Sequence, residues 1–344
     1  MFVKLRSKAL RLVFRFGGYQ LARAITRNEP KILMYHRFSN DGAPGSVSAR
    51  DFERQVRFIK KHFRAVTMSQ LADDLFVRKG RVSNAVAITI DDGYSDFYSL
   101  AWPILKKYNV PATFYVTTGF VSGELWLWPD QLRWVMRQPG NLTAGIRTLM
   151  EDDLDVESDP VSAYWKINAY LLTLPDVEKH EFLRSLAQAV NVEIPFAPPP
   201  EFAPVTWEQL RELQAGGVEI GGHTVSHPSL ARVSLEQAKV EIEESARTLD
   251  RRLSGESRSF CYPNGTVEDF VPEHVPIIIG AGYTCAPVAF ADKHGQAQRF
   301  AMRRYGVSGN WGSFQKVVNG AALLQDRLKR REHPTPYSVS SGAA

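Results

Sequence analysis

The chain has 344 residues, 44% of them apolar, which is enough to bury one large core, and it carries a formal charge of +5. Residues 1–28 hold no Asp or Glu but carry Lys4, Arg6, Lys8, Arg11, Arg15, Arg23 and Arg27; the remainder is close to neutral, which argues against a nucleic-acid-binding surface. The two cysteines, Cys261 and Cys285, have no CxxC-type spacing, so thiolate metal binding is not indicated and a disulfide or two free thiols both stay open.

In the basic segment, residues 1–28, Phe2, Leu5, Ala9, Leu12, Val13 and Phe16 fall on one helical face and Lys4, Lys8, Arg11 and Arg15 on the other. This suits a helix lying on an anionic membrane surface, or equally a basic helix packed on the outside of a domain. Arg11 and Arg15 break up the apolar run, so no cleavable signal peptide is evident, and no later stretch is apolar enough to span a bilayer. The expected location is cytoplasmic or peripheral to the inner face of the membrane.

Lys31 to His36 reads as a strand with a polar tip. Ser48 and Asp51 open a helix with Phe52, Val56, Ile59 and Phe63 at helical spacing, followed by a short strand at Val66 and a brief helix over Ser69 to Val77. Ala85 to Ile90 is a strand buried on both faces that runs into Asp91, Asp92 and Gly93. Two adjacent carboxylates at a strand's end are tolerated where a cation neutralises them, or where they merely cap the next helix, here from Ser95 to Tyr108. A strand over Ala112 to Val116 continues the alternation, which predicts parallel βα units with their chemistry at the carboxyl ends of the strands.

From 119 to 204 that rhythm breaks. The segment reads as a mostly helical rim insertion with an acidic run at Glu151, Asp152, Asp153 and Asp155 and helices over Tyr164 to Leu174 and Asp176 to Val190. Its Trp126, Trp128 and Trp134 either line a sugar-stacking groove or anchor the insertion to the core. Thr206 and Gln209 then start a helix, and Val218 to Ile220 delivers Gly221-Gly222-His223-Thr224-Val225-Ser226-His227. Ser234 and Gln237 cap a long helix that turns Leu235, Ala238, Ile242 and Leu249 inward. Ser259 to Tyr262, Tyr283 to Ala286 and Arg303 to Val307 are the last strands, and a terminal helix spans Trp311 to Leu328. Residues 29–330 form one domain and 331–344 a disordered tail.

His223 and His227 sit on a shaped loop. Two imidazoles and one carboxylate suit a zinc-like ion and leave positions open for water and substrate, which favours catalysis over a structural site. Ile90-Asp91-Asp92-Gly93 and His223-Thr224-Val225-Ser226-His227 resemble the first two motifs of the polysaccharide deacetylases, the family with the NodB homology domain (carbohydrate esterase family 4). The resemblance runs from about Lys31 to Val307 and implies an α/β fold, a deformed βα barrel. It also implies a divalent ion, zinc by preference, held by Asp92, His223 and His227, with Asp91 as general base.

Phe260-Cys261-Tyr262-Pro263-Asn264-Gly265 resembles the third motif and puts the oxyanion-stabilising backbone N–H at Asn264. Cys261 stands where the family has an arginine that orients the base, and Arg304, with Arg303 as the alternative, is the candidate replacement. No late histidine fits the family's leaving-group acid. Leu33-Met34-Tyr35-His36 resembles the circularly permuted branch containing the poly-N-acetylglucosamine deacetylases, which makes His36 that acid. The expected function is therefore metal-dependent N-deacetylation of amino sugars in a bacterial exopolysaccharide or envelope glycan, with an N-acetylated oligo- or polysaccharide as partner. A glycan O-acetyl esterase and an inactive glycan-binding barrel are the alternatives; a non-haem iron oxygenase fits less well, since Asp91 would be superfluous.

Overall fold

A computed structural model describes residues 17–329 other than 81, 139–141, 151–155, 157, 256–257 and 293–295. The first sixteen residues of the basic segment, the acidic run and the expected disordered tail lie outside the described residues.

The strands are β1 (Lys31–Tyr35), β2 (Arg37–Ser39), β3 (Ser46–Ser48), β4 (Arg64–Val66), β5 (Ala85–Ile90), β6 (Thr113–Val116), β7 (Glu219–Gly222), β8 (Arg258–Ser259), β9 (Tyr283–Cys285), β10 (Pro287–Val288), β11 (Met302–Arg303) and β12 (Tyr305–Gly306). All their ladders are parallel. The main path is β12-β1-β5-β6-β7, with β4 paired to the first half of the β5 edge that β6 continues. A parallel bridge from Gly222 to Phe260 leads from β7 to the β8 segment, which pairs with β9. The β9–β10 segment pairs with β11, and β12 returns to β1. The result is an interrupted ring of seven parallel staves, a deformed βα barrel. Gly222 is needed at the bridge, where a Cβ would collide with the Tyr283 hydroxyl.

Strand alternation sorts the side chains. Val86, Ile88 and Ile90 face the outer helices with Leu33, Phe114 and Phe52, whereas Ala85 and Ala87 join Ile32, Tyr115, Cys261, Cys285 and Met302 in the interior. Both cysteines are buried free thiols, which settles the disulfide alternative.

The helix signals hold where caps are local. Ser48, Thr206 and Ser234 each accept a backbone N–H at N3, starting helices Ala49–His62, Trp207–Ala215 and Leu235–Arg252. Three expectations are corrected. Leu235 is 49% exposed, because it lies in the first turn before the helix reaches its inward stripe of Ala238, Ile242 and Leu249. The terminal helix breaks into Trp311–Val318 and Ala321–Leu328 at Gly320, whose φ of 78° ends one helix and opens the next. The helix after Gly93 is an irregular turn over Phe97–Ala101 followed by Trp102–Tyr108.

Within 119–204, helices Trp128–Arg137, Leu142–Met150, Pro160–Leu171 and Asp176–Ala189 form a core of their own around Leu132, Ile146, Ile167 and Leu186. Trp126 and Trp128 are buried and Trp134 half-buried, so these tryptophans anchor the insertion.

Candidate metal centre and active site

The two carboxylates sit where β5 ends. Asp91 still follows the ladder, its N–H donating to the Tyr35 carbonyl at 3.1 Å, which sends its side chain inward like Ala87. Asp92 turns out of the strand with φ of 82° and Gly93 follows at 109°. Two staves along, after β7, the His223 N–H donates to the Val116 carbonyl, and the loop beyond is strained: Thr224 and His227 have φ of 65° and 63°. Such conformations cost about 1–3 kcal/mol each and need support. Glu241, on the inward stripe of helix Leu235–Arg252, supplies it by accepting from the Val225 and Ser226 N–H groups, both at 2.9 Å, and from the Ser226 hydroxyl at 2.7 Å.

These turns bring Asp92, His223 and His227 together from segments 131 and more residues apart. Asp92 Oδ1 lies 3.5 Å from His223 Nε2 and 3.4 Å from His227 Nε2, and all three side chains are nearly excluded from solvent. His223 Nδ1 lies 2.7 Å from the Cys261 carbonyl. In the neutral imidazole, donation there leaves a lone pair on Nε2 facing the carboxylate. Cys261 and Asp92 outweigh burial and raise the His223 pKa, so a cation bound between the two would displace a proton. Two donors about 2.0–2.1 Å from one tetrahedral ion are themselves about 3.3 Å apart, close to the separations seen, so these residues fit a zinc-like ion. Burial lowers the His227 pKa, which keeps that imidazole neutral and able to ligate. Its buried Nδ1 has no hydrogen-bond partner among the described residues.

Asp91 is 2% exposed and is held by Arg304, Nη1 to Oδ1 at 2.7 Å and Nη2 to Oδ2 at 2.8 Å. The guanidinium also meets Thr89 Oγ1, Cys261 Sγ and the Val288 carbonyl, at 3.1, 3.1 and 3.2 Å. Burial alone would raise the Asp91 pKa, but the Arg304 charge and hydrogen bonds, together with the nearby His36 and His223 imidazoles, outweigh it and hold the carboxyl below its usual range. Arg303 faces the other way, onto Asp292 and Gln298. The irregular residue between β11 and β12 is thus the one that enters the barrel.

His36 Nε2 lies 3.8 Å from Asp91 Oδ2, on the solvent side, with its side chain 44% exposed. Asn264 has φ of 57°, and its backbone N–H donates to no acceptor among the described residues. Its side-chain amide lies 3.5 Å from Asp269 Oδ1.

Sequence reasoning missed four participants. Glu241 was readable as an acid on an apolar helical stripe. The Cys261 carbonyl carries no sequence signal, since any residue would supply it. Tyr94 and Asp130 were also missed: the Tyr94 hydroxyl donates to the fully buried Asp130, which also accepts from Arg133 Nη1 at 2.8 Å, while the Arg37 guanidinium stacks 3.9 Å from the Tyr94 ring. This cluster ties the insertion to the turn carrying both carboxylates.

A parallel-stave barrel that gathers a carboxylate and two imidazoles at its strand ends is an α/β fold with a candidate metal site, and comparisons with known proteins narrow it. Residues 78–283 match the polysaccharide deacetylase family model. The chain belongs to the polysaccharide deacetylase family. It is 37% identical over 81 residues to the poly-β-1,6-N-acetyl-D-glucosamine N-deacetylase of Staphylococcus aureus, covering 23% of this chain and 27% of the relative. It is 31% identical over 103 residues to YxkH of Bacillus subtilis, covering 30% and 37%. These alignments span little more than a third of either relative. The Streptococcus pyogenes deacetylase PplD, solved with acetate, shares the fold at a TM-score of 0.53 and 18% identity over 87% of this chain and 98% of its own. IcaB from Ammonifex degensii does so at 0.53 and 19% over 86% and 97%.

Proposed function

We propose that this protein is a divalent-metal-dependent hydrolase that removes N-acetyl groups from amino sugars of a bacterial exopolysaccharide or envelope glycan. The observation that carries the reading is the juxtaposition of two carboxylates with different partners: Asp92 faces two imidazoles, while Asp91 is clamped by Arg304. Asp92, His223 and His227 would hold the ion, and zinc suits the donor set of two nitrogens and one oxygen with positions left open. When bound, such an ion makes water more acidic and polarises a carbonyl.

The chain's own groups supply the rest. Asp91, ionised and fixed in orientation, accepts at Oδ2 the proton of the water that adds to the acetamide carbon. The free Asn264 N–H donates to the carbonyl oxygen as charge builds there. His36 Nε2, across from Asp91 on the open side, protonates the departing amine as the C–N bond breaks, leaving acetate and a free amino sugar. No GxSxG-type nucleophile motif offers a covalent route. The identity shared with the Staphylococcus aureus enzyme supports a β-1,6-linked N-acetylglucosamine polymer as the first substrate to try.

Acetate release from N-acetylated oligosaccharides tests this reading. Asp91→Asn is expected to keep the metal and lose turnover by at least about a hundredfold, and His36→Ala to lose turnover with the metal in place. His223→Ala is expected to lose the metal as well. Release of acetate without new free amine would point to an O-acetyl esterase, and glycan binding without any acetate to a non-catalytic barrel. Peripheral attachment at an anionic membrane surface is part of the same proposal, supported by the basic segment and by Leu21 and Ile25, 63% and 61% exposed on helix Tyr19–Ile25. Cosedimentation with phosphatidylglycerol vesicles at low salt, lost on deleting residues 1–16, checks it.

A further inference from the structure

A groove begins at Arg37, the residue after His36, and runs between the β2–β3 loop and the insertion. Its inner part, about 620 Å³, is lined by Arg37, Arg133, Arg137 and Phe202 among others. An outer part of about 200 Å³ shares Pro44, Gly45, Arg133 and Arg137 with it and adds Val161, Tyr164 and Trp165. The two parts are therefore continuous.

The arginines of this groove are charge-balanced. Arg37 pairs with Asp96 at 2.6 Å, Arg133 with Asp130, and Arg137 lies 3.8 Å from Glu201. A polyanion would gain little from such a lining, whereas a neutral polyol finds planar donors and carboxylate acceptors together. At the outer end, Trp165 is 57% exposed and Val161, one turn earlier, 58%. Of the chain's seven tryptophans, all of them described, Trp165 is the one left exposed. Its indole is not loose: it meets Tyr164 edge-on, with ring centroids 5.1 Å apart at 77°, and the Arg133 guanidinium lies 4.8 Å from the Tyr164 ring. A fixed, solvent-facing indole beside paired donors and acceptors presents an apolar face to the C–H side of a sugar ring.

We infer that this groove is a second glycan-binding cleft, in which Trp165 stacks on a sugar unit other than the one being deacetylated and makes the protein selective for long chains. The inference rests on the deacetylase reading for the identity of the polymer. Remote binding of this kind raises affinity for the polymer without altering the reacting geometry.

The test uses the full-length, zinc-loaded protein with β-1,6-linked N-acetylglucosamine oligomers of two to six units, following acetate release and, by calorimetry, binding. Trp165→Ala is expected to raise KM for the hexamer about tenfold, the worth of one ring stack, with kcat little changed, and the effect shrinks as the chain shortens. Trp165→Phe restores part of the loss. Phe196→Ala, at an 85% exposed aromatic outside the groove, serves as the control. If Trp165→Ala matches Phe196→Ala at every length, the cleft is overturned while the deacetylase reading stands. If no oligomer yields acetate but Trp165→Ala still weakens hexamer binding about tenfold, the cleft stands and the deacetylase reading falls. Neither release nor binding by the unaltered protein overturns both.

Discussion

Arg304 determines the state of Asp91. A carboxylate that is 2% exposed stays ionised largely because five guanidinium contacts, two of them to its own oxygens, fix a charge beside it, with His36 and His223 adding to the effect. Arg304→Met would strand that charge, and losing one partner of a buried pair costs about 3–5 kcal/mol, measurable by urea unfolding. Burial is then opposed only by the weaker pull of His36 and His223, and the Asp91 pKa rises. If Asp91 is the base, the acidic limb of the acetate-release profile moves to higher pH, because more alkali is needed to ionise it. Arg304→Lys should retain part of the stability, since one ammonium can meet one carboxylate oxygen but cannot span both. Sequence reasoning reached Arg304 and Arg303 together. Strand parity alone could not divide them, because the ladder is broken at residue 304 and an irregular residue points where the break sends it.

Among the elements, helix His274–Gly280 carries a pH sensor of stability. His274 is 1% exposed, and its Nδ1 accepts from the Val271 N–H at 3.1 Å, so protonation breaks a hydrogen bond as well as burying charge. Burial lowers its pKa to about 4, against an unfolded value near 6.5. Between those values the unfolded chain binds a proton that the folded one does not, so stability rises with pH across that window and is lost as pH falls through it. The full swing is about 3 kcal/mol, and His274→Asn, which keeps an acceptor but cannot protonate, should flatten it in unfolding curves taken from pH 7 to 4. The insertion has a comparable anchor in Asp130. Asp130→Ala leaves the Tyr94 hydroxyl and Arg133 without their buried partner and should cost about 2–4 kcal/mol, read as earlier proteolysis within 119–204. Caps at Ser48, Thr206 and Ser234 were legible because the signal lies within four residues. Asp130 was not, since an acid in the first turn of Trp128–Arg137 also looks like an ordinary helix start.

At the scale of the molecule, an ion between Asp92 and the two histidines would tie the β5 stave to the β7 stave across β6. Binding to the folded form alone adds about 4 kcal/mol when free metal is a thousandfold above its dissociation constant. Zinc should therefore raise the melting temperature, a chelator should lower it, and His223→Ala should respond to neither. The alternation of strands and helices and the two short motifs made the barrel and the meeting of Asp92 with His223 and His227 legible. The ring's interruptions and the groove on the insertion were not, because both depend on contacts between residues far apart in the chain.

One arrangement has a bearing on how the protein is made. Asp91 and its guanidinium partner are separated by 213 positions, so while a ribosome is still short of residue 304 a barrel lacking its last stave would carry an acid without its principal counter-charge. A nascent or C-terminally clipped chain would meet that cost by taking up a proton, leaving its acid unable to accept another. If Asp91 is the base, hydrolytic competence then waits on the final stave.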